Sequence, residues 1–233
     1  MHTPPPCDPM PALAPVSDQT LTRKDIAALA GAQVLIGCDL QEADLSGLDL
    51  AGWRFERCSL REANLSGAKL EGSIWQSCRG ALANFTGCDL SEASFAASDF
   101  NNASFRRASL EEARFAGCKL TGADFSEVRA ITLHFEETLL VNARLAGRSF
   151  RKTRLVRVDF AQADLRKCDF RMAIFEASSL RDAWVDAALF EGADLRGADL
   201  GGVRLGDASR FRGATISREQ AAQLLAEVGL NVR

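Results

Sequence analysis

The chain of 233 residues contains no tyrosine, two histidines and no long apolar run. No stretch reaches the ~18 apolar residues of a membrane-spanning helix, and the first thirty residues lack a basic segment followed by an apolar core. Neither a membrane span nor a secretory signal is expected. Neither sign of charge is in excess: 28 Lys and Arg stand against 31 Asp and Glu, a net charge of -3. That balance points away from direct nucleic-acid binding, which calls for a basic surplus. His2 lies in a Pro-rich leader and His134 stands alone, so no His/Cys cluster offers itself to a metal. There is no phosphate-binding loop, no dinucleotide-binding glycine fingerprint and no nucleophile-elbow serine. No carboxylate pair stands out as an acid/base dyad. The expectation is a non-enzyme without cofactor or metal. Seven cysteines, an odd number without framework spacing, suit a reducing cytoplasm.

What the chain does have is a period of five. From Leu40 to Leu205, 30 of the 34 residues at multiples of five are Leu or Phe, and 13 of the 14 Phe fall there, with Phe211 displaced by one. Two residues earlier the chain prefers small side chains: Ala at 16 places, Cys at six, Ser at three and Thr at two. The intervening residue is mostly polar, often Asp or Asn, and the two that follow are mostly polar or Gly. The unit is A-(D/N)-(L/F)-x-x. A period of five fits neither a helix nor a flat strand. It fits a chain that turns a corner every five residues, pointing one large and one small side chain inward. Four units close a square coil of twenty residues, and coils stack at about 4.8 Å.

This pattern resembles the pentapeptide repeat family over roughly residues 33–216. The resemblance implies an all-β fold, a right-handed quadrilateral β-helix, with about nine coils in a rod of ~43 Å. The predicted organisation is a disordered Pro-rich leader over 1–20, an N-terminal capping helix within 21–32, the β-helix over 33–216 and a C-terminal helix within 217–233. Thr22-Arg23-Lys24-Asp25 and Ser217-Arg218-Glu219-Gln220 read as capping boxes that start the two helices.

Columns twenty residues apart refine the expectation. Phe55, Trp75, Phe95, Phe115 and Phe135 form an aromatic ladder in the core, and Cys38, Cys58 and Cys78 occupy small inward places as packing residues. Gly80 and Ala130 leave the large inward place empty, whereas Trp53, Leu48, Leu133 and Arg148 overfill the small one. The pattern is weakest over 128–141. On the face centred on Leu50, Leu70, Leu90 and Leu110, the outward residues Asp49, Glu71, Asp89, Glu92, Glu111 and Glu112 make an acidic half, opposed by Lys69 alone. Arg129, Arg151, Lys152 and Arg171 follow on the same face, and residues 142–172 hold nine Lys or Arg against three Asp.

By its resemblance the protein is expected to bind DNA gyrase or topoisomerase IV as a DNA mimic and to protect it from quinolones or natural poisons. The unbroken register likens it to loopless members. The acidic half-face would then be the partner-binding surface. The resemblance also implies a homodimer through the C-terminal helix, with Ala221, Leu224, Leu225, Val228 and Leu230 as the contact. The alternative is an interaction scaffold, or a secreted effector or adaptor, using 128–141 and 142–172 on a non-topoisomerase partner.

Overall fold

The computed structural model describes residues 14–203, 208–227 and 229–231. The chain climbs in square coils, and the period-five pattern dictates where it turns. Leu or Phe at every fifth place and the small residue two before it point inward and are almost wholly buried, while the residue between them faces out. One face of the square carries a parallel sheet. Its strands, in spatial and sequence order, are β1 (Val16–Ser17), β2 (Val34–Ile36), β3 (Arg54–Glu56), β4 (Ile74–Gln76), β5 (Ser94–Ala96), β6 (Ala113–Ala116), β7 (Leu133–Glu136), β8 (Arg154–Val156) and β9 (Ile174–Glu176). The other three faces hold columns of single parallel bridges that begin at Thr20↔Asp39, Asp44↔Asn64 and Asp49↔Lys69. On the second face, β10 (Ser178–Ser179) and β11 (Ala198–Asp199) extend one such bridge. From Asp39↔Ser59 to Ile174↔Asp194 every pairing is twenty residues apart, which leaves no room for an inserted loop.

Corners repeat one geometry. Ala63 N donates to Leu60 O (3.0 Å) and Trp53 N to Leu50 O (3.2 Å), closing turns whose third residue is left-handed. From 42 to 192 each residue at this place has positive φ, between 48° at Ala97 and 74° at Gly147, with Thr132 the exception. A β-branched side chain is poorly tolerated in that conformation.

The exception coincides with a break in the ladder. On the fourth face Leu110 N donates to Arg129 O and Phe150 N to Asp169 O. Among the described residues, however, no bond joins Ala130 N to Ser149 O, Ser149 N to Val128 O or Thr132 N to Arg151 O. The bridge Arg129↔Ser149 is likewise absent, and β7 pairs with β8 only at Glu136↔Val156. Three sequence departures meet here. Thr132 cannot make the regular corner, Ala130 does not fill the inward space, and Arg148 sits at a small inward place and donates instead to Val128 O. Residues 128–141 therefore form a coil that parts from the next on two faces and stays joined on the others, through Asp124↔Arg144 and Leu139↔Asp159.

Aromatic rings stack up the interior: Phe55–Trp75 at 4.0 Å, Trp75–Phe95 at 5.6 Å and Phe95–Phe115 at 4.6 Å, each near parallel. Phe105 stacks similarly between Phe85 and Phe125, and the two ladders meet edge to face. Trp75 is fully buried, and its indole N–H donates to Ser73 Oγ at 2.9 Å. Gly80, one unit further along the same coil, leaves space that the Phe100 ring takes up.

The ends are capped. Residues 14–20 correct the expectation of a disordered leader over 1–20. They supply β1 and the bridge Thr20↔Asp39, so the coil starts before the helix, and residues 1–13 lie outside the described part. Helix α1 (Arg23–Ala28) follows, with Asp25 accepting from Thr22 N (2.8 Å) and Thr22 Oγ1 (2.6 Å), and it buries Ile26 over the first coil. At the other end the one-residue insertion before Phe211 shifts the pairing to Asp194↔Thr215, and Phe211 still stacks on Phe190 at 4.8 Å. Helix α2 (Arg218–Glu227) starts with the expected box: Ser217 N donates to Gln220 Oε1 and Gln220 N to Ser217 Oγ. Gln220 Nε2 also donates to Leu195 O and Ala198 O, both at 2.7 Å, tying the helix to carbonyls at the end of the stack.

Candidate functional site

Among the described residues, no group of three or more His, Cys, Asp or Glu is placed to hold a metal, and no helix is long and apolar enough to cross a membrane. Cys7 lies outside the described residues. The six described cysteines are buried and unpaired. Cys38, Cys58, Cys78 and Cys118 each point at backbone carbonyls of their own and the preceding coil, as Cys118 Sγ does at Phe95 O (3.4 Å) and Ala116 O (3.5 Å), while Cys88 and Cys168 point at Leu65 O and Leu145 O of the preceding coil. Ser98, Thr138 and Ser178 in the same column make the equivalent bonds with hydroxyls, which explains why Cys, Ser and Thr interchange there. Burial pushes the Cys88 and Cys168 thiols up to about 12 and Cys118 to about 11, away from the thiolate that nucleophilic or redox work needs.

Many outward acids belong to the scaffold. The Asp or Asn before the large inward residue accepts the backbone N–H two positions on, as Asp44 does from Ser46 (3.1 Å), Asn84 from Thr86 (3.0 Å) and Asp159 from Ala161 (2.9 Å). Such a turn satisfies a corner amide that the ladder cannot reach. Asp49 and Asp89 of the expected acidic half-face do this for Ala51 and Ser91. Those bonds, with Lys69 at 3.3 Å as a second cause, hold the Asp49 carboxyl below its ordinary range.

The other four carboxylates sit at the corner that follows the fourth face, and Glu71, Glu92 and Glu112 there are exposed. Glu111 is half-buried and accepts from Ile131 N at 2.6 Å. Glu112 faces His134 Nε2 at 3.3 Å and Arg114 at 3.6 Å, so His134 is not the isolated residue the sequence suggested. The fold thus gathers all six acids on one side of the rod, but in different roles: two build turns, Glu111 and Glu112 are engaged by Ile131 N, His134 and Arg114, and Glu71 and Glu92 are exposed without an ion pair among the described residues.

The basic segment 142–172 changes more. Arg166 and Arg171 each clasp the Asp two residues before them through Nε and Nη2, at 2.7–2.9 Å. Those guanidiniums are the main reason Asp164 and Asp169 are held below the usual carboxylate range. Arg154 holds Glu176 with two bonds, Arg157 pairs with Glu137, and Arg144 reaches Asp124 at 3.3 Å. Counting cations along the sequence missed this. The recurring Asp-Leu-Arg or Asp-Phe-Arg triplet (164–166, 169–171, 194–196) was the signal that betrays it. Arg151 and Lys152 remain exposed and outside any ion pair among the described residues. They stand at the same corner as Glu111 and Glu112, two coils on.

Of the expected dimer residues, Leu224 is buried against the last coil and Ala221 is half-buried, while Leu225 and Leu230 are exposed; Val228 lies outside the described residues. A cleft of about 160 Å³ between α2 and the last coil is lined by Leu195, Leu200, Val203, Phe211, Ala214, Ile216 and Leu224. A second, of about 330 Å³, opens where β7 and β8 part, between Phe115, Phe135, Thr153 and Arg154.

Comparison with known proteins agrees with this geometry. The family model described as pentapeptide repeats matches in eight copies, over residues 38–74, 88–126, 138–176 and 173–209. Among solved structures, two trypsin-treated variants of QnrB1, described as a plasmid-mediated fluoroquinolone resistance protein, are similar with TM-scores of 0.59. They are 20% and 21% identical, covering 94% of this chain and 97% and 98% of theirs. Full-length QnrB1 gives a TM-score of 0.55 at 20% identity, over 92% of this chain and 97% of its own. No curated protein sequence matches.

Proposed function

The chain belongs to the pentapeptide repeat family, and from that premise we propose that it is a non-enzymatic protein that binds DNA gyrase or topoisomerase IV as a DNA mimic and protects it from topoisomerase-targeting antibiotics. The observation that carries this reading is the edge of Glu71, Glu92, Glu111 and Glu112 on a rod whose twenty-residue register admits no inserted loop. Carboxylates repeat along it at a coil spacing of about 4.8 Å, of the same order as the roughly 3.4 Å of axial rise per phosphate in one DNA strand. A net charge of -3 confines the mimicry to that edge. The likeness to QnrB1, whose description is fluoroquinolone resistance, supports the same reading. Buried, unpaired thiols fit a cytoplasmic protein.

Purified protein added to a gyrase supercoiling assay should restore activity lost to ciprofloxacin, or inhibit the enzyme at higher concentration. Absence of rescue, inhibition and binding over a wide concentration range would sink the reading. Reversal of the edge by Glu71→Lys with Glu92→Lys should weaken gyrase binding by roughly tenfold or more, with circular dichroism unchanged. Equal affinity would remove that edge from the interface.

A second reading, a scaffold, effector or adaptor with a non-topoisomerase partner, draws on the parted coil, where Ile131 is 86% exposed. A homodimer through the tail would use Leu225 and Leu230.

A further inference from the structure

We propose that the fourth corner of the rod is a self-complementary surface on which a second copy of this chain packs side by side and antiparallel. The corner changes sign about one coil. Glu111 and Glu112 precede Ile131 and Thr132, and Arg151 and Lys152 follow them, each step being one coil of twenty residues. One coil further out, Glu92 lies on the acidic side, while Arg171 on the basic side is already paired with Asp169.

At the centre of the switch stands Ile131, 86% exposed, the most exposed large apolar side chain among the described residues. It projects because its coil has parted from the next: Thr132 does not make the regular corner, and Glu111 holds the Ile131 amide from below. An isolated exposed isoleucine is ordinary, but here it is flanked one coil before and one coil after by charges of opposite sign.

A two-fold axis perpendicular to the rod at the level of Ile131 reverses coil order while keeping each column opposite itself. It sets Glu111 against Arg151 of the second copy, Glu112 against its Lys152, and Ile131 against Ile131. By symmetry each charge pairing occurs twice, as in any isologous contact. Parallel packing, or a shift of two coils, would instead oppose like charges, so the charge pattern selects one register. The contact spans five coils, about 24 Å, which suits a weak, salt-sensitive dimer. It is separate from the tail; with both contacts in use, copies would string into chains. It also covers Glu111 and Glu112, so self-pairing would compete with any partner that needs that part of the edge.

Sedimentation of the full-length chain over a concentration series tests this without any other protein, so the result does not depend on the gyrase reading. The expected result is association that weakens at least tenfold in about 0.5 M NaCl, where the screening length falls below about 5 Å. Glu111→Lys with Glu112→Lys makes the coils on both sides of Ile131 basic, and Arg151→Glu with Lys152→Glu makes both acidic. Each variant alone should lose the association, and a mixture of the two should recover it. Recovery in the mixture cannot come from misfolding. A tail-mediated dimer would ignore salt and all four substitutions. Wild-type protein that does not associate, association indifferent to these changes, or variants that fail to pair when mixed would overturn the proposal.

Discussion

Each residue of the five-residue unit answers one physical demand, and the unit tolerates change only where that demand is still met. The large inward side chain fills the core, and the small one leaves room for the corner. The Asp or Asn between them caps the next turn, as in Asp89 to Ser91. Where one place is emptied, a neighbour fills it. Gly80 has no side chain, and a Cβ built there would lie 2.1 Å from Phe100 Cε1. Gly80→Ala should therefore destabilise the protein by about 1–3 kcal/mol through overpacking, although alanine or larger is the rule at other inward places. Phe100→Leu in the same chain should recover most of that loss. Thermal or urea unfolding of the single and double variants checks it, and additive losses would show that the two sites do not share the space.

At the scale of the coil, stability comes from ladder bonds to the neighbours above and below, so one irregular coil opens its junction with the next coil rather than weakening the whole stack. Ala130, Thr132 and Ser149 have backbone N–H groups without the ladder partner that their counterparts in regular coils possess, such as Leu110 N on Arg129 O. Their amides should exchange with solvent markedly faster than those of Leu110 and Phe150 under native conditions, since exchange protection follows local hydrogen bonding. Site-resolved hydrogen exchange reads this directly, and uniform protection across 110–150 would contradict an open junction. Part of this was legible beforehand: Ala130 and Arg148 break the inward pattern by eye. That Thr132 removes the left-handed corner, and that Arg148 replaces a lost ladder bond on Val128 O, depended on coils twenty residues apart.

At the scale of the molecule, the rod has two protected ends and one polarised edge. The tail both caps and projects. Gln220 and Leu224 close the last coil, while Leu225 and Leu230 face outward. Truncation after Ile216 would remove the cap along with any dimer contact. Leu225→Asp with Leu230→Asp is the cleaner test, expected to abolish a tail-mediated dimer in sedimentation while leaving the thermal midpoint within a few degrees; a dimer that survives would place the contact elsewhere. The sequence by itself determined the solenoid, its coil length, the inward residues and both capping boxes, because each rests on spacing within one or two units of chain. It also brought the six carboxylates to one side, since a strict period of twenty assigns every residue a face. Only the tertiary structure decided which charges remain available. Asp49 and Asp89 are taken up by turns, Arg154 and Arg157 by acids in adjacent coils, and Arg166 and Arg171 by the aspartates beside them. Charge pairing depends on where side chains end in space, and a column of letters records only where they begin.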